Sequence, residues 1–163
     1  MVPYVLKSAR QLVKAGADFI AVPCNTLHEI LPEIKKEIKI PFIDLIEETA
    51  KSLQIYKKIG ILSSKRTREA KLYDDLLTNS ELIYPTNEEQ EIVSEIIVKI
   101  IKNTLTDLDK EKLDSIILNL KNCGAEKVIL ACTDLANVIK PDNFILDTQE
   151  IFIQSVKKRM KED

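Results

Sequence analysis

Amphipathic helical stretches alternate with short apolar runs along the whole sequence. Runs such as residues 19–22, 59–62 and 128–130 are too short for helices and are typical of strands that are buried on both faces. Helices between such strands belong to βα units, which place parallel strands side by side and cover both faces of the sheet. The sequence therefore predicts an α/β fold with parallel sheets. Among its helices we expect one from Thr26 to Ile38, which Pro32 should interrupt in its first turns, and one from Thr67 to Leu77. The patterns Thr26-x-x-Glu29 and Thr86-x-x-Glu89 predict capping boxes.

The composition is that of a folded globular protein and does not favour nucleic acid as a partner. Hydrophobic residues make up 45% of the 163 residues, and 24 basic residues against 26 acidic ones leave a net charge of −2. Basic side chains are mixed with acidic ones, so no stripe suited to nucleic acid is predicted. No apolar run approaches the roughly 18 residues of a membrane span. Three cysteines without a framework spacing favour a reducing compartment, and we expect a cytoplasmic protein.

Several cofactor and metal sites are excluded because the residues that build them are scarce. The glycines Gly16, Gly60 and Gly124 lie too far apart for a dinucleotide-binding or phosphate-binding loop. The chain has one histidine, His28, and no Cys-x-x-Cys pair, so a structural zinc site is not expected. His28 is open to two interpretations: it orients a substrate or tunes the Cys24 thiol, or it caps a helix or lies at the edge of the core.

A repeat relates two parts of the chain when they are aligned on their cysteines. Residues 16–27 (GADFIAVPCNTL) and 124–135 (GAEKVILACTDL) both begin with Gly-Ala and an acidic residue, continue with an apolar run, and carry a cysteine and a later leucine in register. Each copy follows an amphipathic helix, and each is followed at some distance by an Asp-x-x-Glu helix start. This pattern indicates an internal duplication of a helix–strand–cysteine–helix unit.

The repeat predicts a pair of cysteines, Cys24 and Cys132, each at the carboxyl end of a strand and before a helix. Ligands of α/β sheets bind at this edge, and amide groups at a helix N-terminus lower the pKa of a thiol. The side chains of Asn25, Thr26 and Thr133 can bind a carboxylate in the same corner. Two lobes related by an approximate twofold axis would set the sulfurs on opposite sides of one cleft. That arrangement suits stereoinversion at a carbon acid, in which one thiolate removes a proton and the other thiol returns one.

Two short motifs carry a resemblance to the aspartate/glutamate racemase family. These motifs are PCNTLH at residues 23–28 and ACTDL at residues 131–135, and the similarity extends over essentially the whole chain. Glutamate racemases typically continue the second cysteine with Thr-His-Tyr-Pro, whereas Thr133-Asp134-Leu135 follows here, so the sequence resembles the aspartate racemase branch.

The resemblance implies two pseudo-symmetric, Rossmann-like α/β lobes with parallel sheets and an active site in the cleft between them. It further implies racemisation of aspartate or glutamate without pyridoxal phosphate, metal or any other cofactor. Cys24 and Cys132 are then the acid/base residues. The implied substrate-binding residues are Asn25, Thr26, Ser64, Thr67 and Thr133, of which Ser64 and Thr67 fall in the Ser/Thr-rich turn that the family has after a strand.

Family members begin upstream of this sequence, with a strand and a Gly-rich loop of the Gly-Gly-Met-Gly-Pro type. We therefore expect a truncated first lobe, formed by residues 1–54 plus 144–163, and a second lobe formed by residues 55–143. The first lobe is then left with an uncovered sheet edge, and we expect a homodimer with no nucleic acid or membrane partner.

Two other functions stay open on the sequence. A shortened, catalytically weak relative would bind a small dicarboxylate, or act as an interaction module, without exchanging the α-proton of an amino acid. A thiol redox protein would form a reversible disulfide between Cys24 and Cys132, which requires the two sulfurs to reach bonding distance.

Overall fold

The structure is a computed structural model, and it describes residues 1–161. Its strands form two parallel sheets. The smaller sheet pairs β1 (Ile20–Ala21) with β2 (Phe42–Ile43). The larger sheet has the order β4-β3-β5-β6, and its strands are β3 (Lys58–Ser63), β4 (Glu81–Ile83), β5 (Lys127–Ala131) and β6 (Ile145–Asp147). The predicted α/β class with parallel sheets is confirmed.

Helices connect these strands, as parallel pairing requires. They are α1 (Val2–Lys14), α2 (Leu31–Glu37), α3 (Leu45–Leu53), α4 (Lys65–Glu69), α5 (Asn87–Ile101), α6 (Asp107–Asn122) and α7 (Thr148–Arg159). Side chains at several N-termini satisfy the free amide groups of the first turn. The capping box predicted for Thr86 and Glu89 is present at the start of α5, and Asp44 accepts two amide hydrogen bonds at the start of α3.

Helices cover both faces of the larger sheet because its strands alternate their side chains between two cores. Leu62 of β3 and Leu130 of β5 point into the core that α5 and α6 cover. Ile61 and Ile129 point the other way, into the core that contains α3 and α7 residues. A third, smaller core lies among α1, α2 and the two-stranded sheet.

Both copies of the repeat end their first helix in the same way. Gly16 after α1 and Gly124 after α6 have φ values of 86° and 95°, which favour glycine. Each is followed by an alanine whose N–H group bonds the carbonyl group five residues earlier, and the glycine N–H group itself bonds the carbonyl group three residues earlier. This is the Schellman ending of a helix, and it turns the chain toward β1 in one copy and β5 in the other.

Several predicted elements differ in the structure. The helical stretch predicted from Thr26 to Ile38 is interrupted, as expected from Pro32: it is a 3₁₀ turn (Thr26–Glu29) followed by α2, which has Pro32 in its first turn. The capping box predicted for Thr26 is wrong, since its hydroxyl group bonds other side chains. The helix predicted from Thr67 to Leu77 is shorter, and it ends before Lys71, which has a φ of 50°.

The last strand also affects the expected division into lobes. Residues 145–147, which the sequence assigns to the first lobe, form β6 and hydrogen-bond with β5 of the larger sheet. Helix α7 then packs against α3. The division into residues 1–54 plus 144–163 and residues 55–143 stays a prediction, and residues 162–163 lie outside the described residues.

Candidate active site

The segment around Cys24 follows the carboxyl end of β1. Cys24 lies three residues after Ala21, is half-buried, and donates its backbone N–H to the Val22 carbonyl group at 2.9 Å. The 3₁₀ turn begins two residues later. The prediction that Cys24 lies between a strand end and a helix start is confirmed, although that helix is a single turn.

His28 holds the Cys24 segment against the start of α3. Its Nδ1 lies 2.8 Å from the Cys24 carbonyl oxygen, and its Nε2 accepts the Leu45 N–H at 3.1 Å. Burial lowers the pKa of His28, although the neighbouring Asp44 carboxylate opposes this shift. Asp44 Oδ1 lies 3.3 Å from Nε2, but that nitrogen already accepts a hydrogen bond, so the neutral ring with hydrogen on Nδ1 fits both contacts. Of the two interpretations of His28, the structure supports helix capping.

Cys132 follows directly on β5 and is buried, with 8% of its surface exposed. Its thiol group donates to Asp134 Oδ2 at 3.8 Å. Burial raises the pKa of the Cys132 thiol to about 11, against the effect of hydrogen bonds from the Asp134 and Leu135 backbone, and the negative charge of Asp134 raises it further. The expectation of a lowered pKa is therefore wrong for Cys132, because burial outweighs the amide groups of the helix start. At neutral pH this thiol keeps its proton.

The two cysteines lie close enough to influence each other. A charge on Cys24 contributes to raising the pKa of Cys132. Their strands, β1 and β5, belong to different sheets, and each thiol follows the carboxyl end of its strand. All three cysteines of the chain are free thiols.

Three hydroxyl groups from distant parts of the chain form a cluster beside the Cys24 segment. Thr26 Oγ1 lies 3.0 Å from Ser64 Oγ and 3.1 Å from Thr67 Oγ1, and the latter two atoms are 3.0 Å apart. Ser64 also caps α4 by accepting the Thr67 N–H group at 3.2 Å. The structure thus brings together three of the predicted substrate-binding residues, which we call the hydroxyl cluster.

Asn25 and Thr133, the other two predicted substrate-binding residues, make different contacts. The Asn25 side chain is only 2% exposed, and both ends of its amide group are occupied. Its Oδ1 accepts the Tyr73 hydroxyl at 2.5 Å, and its Nδ2 donates to Thr148 Oγ1 at 3.3 Å. Thr133 lies half-buried beside Cys132, and its carbonyl oxygen accepts a hydrogen bond from Gln149 Nε2 at 3.0 Å.

Comparison of the chain with known proteins assigns it to a family. The sequence profile described as Asp/Glu/Hydantoin racemase matches residues 1–156, which include both cysteines and the hydroxyl cluster. The chain belongs to this racemase family.

Individual relatives agree with the assignment. The broad specificity amino-acid racemase RacX of Bacillus subtilis is 30% identical over 137 residues, which cover 83% of this chain and 60% of RacX. A solved aspartate racemase homologue from Pyrococcus horikoshii has a TM-score of 0.81 at 27% identity, covering 98% of this chain and 74% of that chain. The aspartate racemase of Picrophilus torridus has a TM-score of 0.80 at 24% identity, covering 96% and 68% respectively. The chain thus spans about 60% of the length of RacX.

This racemase-family chain also has site residues that its sequence motifs did not reveal. Tyr73 and Thr148 bind Asn25 from 48 and 123 residues away, and no local pattern marks either of them. Asp134 lies within the second cysteine motif, and a carboxylate two residues after a thiol was the sequence signal that could have identified it. Within residues 1–161, no cluster of three His, Cys, Asp or Glu side chains is arranged to hold a metal ion, and no helix is both long and apolar enough to span a membrane.

Proposed function

We propose that the protein is a cofactor-independent amino-acid racemase that acts on aspartate, with glutamate as the second candidate substrate. The supporting observation is the placement of two free thiols, Cys24 and Cys132, after the carboxyl ends of strands in two different sheets, where a charge on Cys24 influences the pKa of Cys132. The family assignment and the activities for which RacX and the Picrophilus enzyme are named point in the same direction.

The proton transfers in this proposal balance between the two sulfurs. The Cys24 thiolate takes the α-proton from one face of the substrate, so the Cα–H bond breaks and an S–H bond forms. The Cys132 thiol gives its own proton to the opposite face and becomes the thiolate. The raised pKa of Cys132 supports its role as the donor in the resting protein, because the group is protonated at neutral pH. In the reverse direction the two cysteines exchange roles.

The hydroxyl cluster is proposed to bind a carboxylate of the substrate. Each of its three hydroxyl oxygens lies 3.0–3.1 Å from the other two, so each hydroxyl group can donate its hydrogen to a neighbour in the cluster. Rotation about their C–O bonds lets them donate to an anion instead. Asn25 is proposed to hold the Cys24 segment rather than to reach the substrate, because its amide group is buried and occupied at both ends.

The test is α-proton exchange of L- and D-aspartate, and then of glutamate, in deuterated water by NMR. The native chain is compared with Cys24→Ser and Cys132→Ser, and Cys123→Ser serves as the control because Cys123 is the exposed cysteine. We expect exchange with inversion in the native chain and the control, and its loss in each of the other two variants. No exchange from folded native protein with either amino acid would overturn the proposal.

A second candidate is a dicarboxylate-binding protein without catalysis. The burial of Cys132 favours it, because a thiol with a pKa of about 11 is almost entirely protonated at neutral pH, so little thiolate is present to act as the base in the reverse direction. The same NMR samples distinguish the two functions: this candidate predicts aspartate-induced chemical shift changes in the protein without loss of the substrate α-proton signal.

The expected homodimer is also a proposal, which sedimentation of the native chain tests.

A further inference from the structure

A single buried hydroxyl group connects the two cysteine segments. Thr148, the first residue of α7, is 0% exposed. Its Oγ1 accepts a hydrogen bond from Asn25 Nδ2 at 3.3 Å and donates one to the Leu130 carbonyl oxygen at 2.9 Å. Asn25 is the residue after Cys24, and Leu130 lies two residues before Cys132. The hydroxyl group therefore joins the segment of one thiol to the strand that leads to the other.

The hydrogen atoms of this connection have only one consistent arrangement. The Thr148 hydroxyl has one hydrogen, which goes to the Leu130 carbonyl oxygen, so toward Asn25 it acts as an acceptor. The Asn25 amide must then present its NH₂ group to Thr148 and its oxygen to Tyr73, which donates at 2.5 Å. The three side chains are 0–2% exposed, and a buried network in which each group has a partner resists distortion.

A second hydrogen bond from the first turn of α7 holds the chain next to Cys132. Gln149 Nε2 donates to the Thr133 carbonyl oxygen at 3.0 Å, which holds the residue after Cys132. The start of α7 thus contacts the chain on both sides of the second cysteine as well as the residue after the first.

We propose that Thr148 is a positioning residue that fixes the separation of Cys24 and Cys132. It does not touch the reacting atoms. It acts through Asn25 on one side and through Leu130 on the other. The consequence for catalysis rests on the proposed racemase function, whereas the consequence for the two segments follows from the hydrogen bonds alone.

The first measurement is hydrogen–deuterium exchange of backbone amides, which requires no catalytic activity. Thr148→Val keeps the shape of the side chain and removes both hydrogen bonds, and Thr148→Ser keeps the hydroxyl group. We expect amides of residues 24–30 and of residues 132–135 to exchange several-fold faster in the valine variant and at the native rate in the serine variant. Thr104→Val, at an exposed threonine, is the matched control and should match the native chain. Faster exchange confined to α7, in one segment alone, or in neither would overturn the proposal.

A milder variant covers the case in which Thr148→Val does not fold. Tyr73→Phe removes only the hydrogen bond from the Tyr73 hydroxyl to Asn25 Oδ1 and leaves Thr148 in contact with Leu130. We expect faster amide exchange at residues 24–30 and native exchange at residues 132–135. Native exchange at both segments would overturn the proposal.

The kinetic measurement then follows the α-proton exchange of aspartate. A displacement of about 1 Å between reacting groups costs roughly a hundredfold in rate, so kcat is expected to fall by about that factor in Thr148→Val, with KM little changed and with recovery in Thr148→Ser. A merely structural role would lower the Tm while leaving kcat at native values below the transition. If the native chain shows no proton exchange at all, the proposed function fails, and the amide measurement still decides the role of Thr148.

Discussion

Replacement of Asp134 by asparagine should increase the thiolate fraction of Cys132. The Asp134 carboxylate lies 3.8 Å from the sulfur, and its negative charge adds to the effect of burial in raising the pKa of the thiol. Asparagine has nearly the same shape without the charge. The side chain of Asp134 makes no capping hydrogen bond with the 3₁₀ turn that follows it (Leu135–Asn137), so the substitution leaves that turn intact.

The size of the effect follows from the separation of the two groups. Two unit charges about 4 Å apart repel by about 1 kcal/mol in water and by about 4 kcal/mol near a protein surface. Asp134 is half-exposed, so the lower part of this range applies. A change of about 1.4 kcal/mol corresponds to a tenfold larger thiolate fraction, and it moves the titration of Cys132 down by about one pH unit.

Alkylation by iodoacetamide, followed by mass spectrometry of the peptide that contains Cys132, measures this titration because only the thiolate reacts. The midpoint of the rate against pH is compared between the native chain and Asp134→Asn. Asp114→Asn, on the exposed side of α6, carries the same charge change as a control. An unchanged or higher midpoint in Asp134→Asn would refute the electrostatic reasoning, whatever happens to the absolute rate.

Two further predictions concern stability. In β3, a Cβ atom on Gly60 would lie 2.8 Å from Val128 Cγ2 and 3.4 Å from Leu120, so Gly60→Ala should lower the free energy of unfolding by about 1–3 kcal/mol in a urea titration. An unchanged urea midpoint would contradict this close packing. The Lys99 ammonium group, 2.6 Å from Asp109, lowers the pKa of that carboxyl to about 2, below its unfolded value of about 4. The bond therefore stabilises the fold above about pH 4 and is lost as the pH falls toward 2, so Asp109→Asn should lower the Tm at pH 7 and much less at pH 2. Equal losses at both pH values would show that the charge does not matter.

The sequence predicted the parallel sheets because buried strands and amphipathic helices have different apolar periods. It also predicted the positions of Cys24 and Cys132 at strand ends, since the repeat aligns them after equivalent strands. Thr26 was expected to bind a carboxylate because it follows Cys24, whereas Ser64 and Thr67 were identified through the family resemblance; the structure adds that the three contact one another.

Other features of the site depend on tertiary contacts that no local pattern contains. The capping box predicted for Thr26 fails because its hydroxyl group finds Ser64 and Thr67, which are 38 and 41 residues away. The pKa of Cys132 is raised by burial in a core that forms only when the strands and helices pack together. Tyr73 and Thr148 contribute single buried hydrogen bonds, and a lone tyrosine or threonine has no sequence signature for that role.

The hydrogen bond between Asn25 and Thr148 also has a consequence for folding. It joins residues 123 positions apart, and closing so long a segment costs chain entropy that is recovered only when both of its ends are ordered. Helices form early from local contacts, whereas contacts of such long range form slowly. During refolding, helical circular dichroism should therefore recover before the protection of the Cys24 segment, and a partly folded chain has the helices of this protein before the segment that carries Cys24 is ordered.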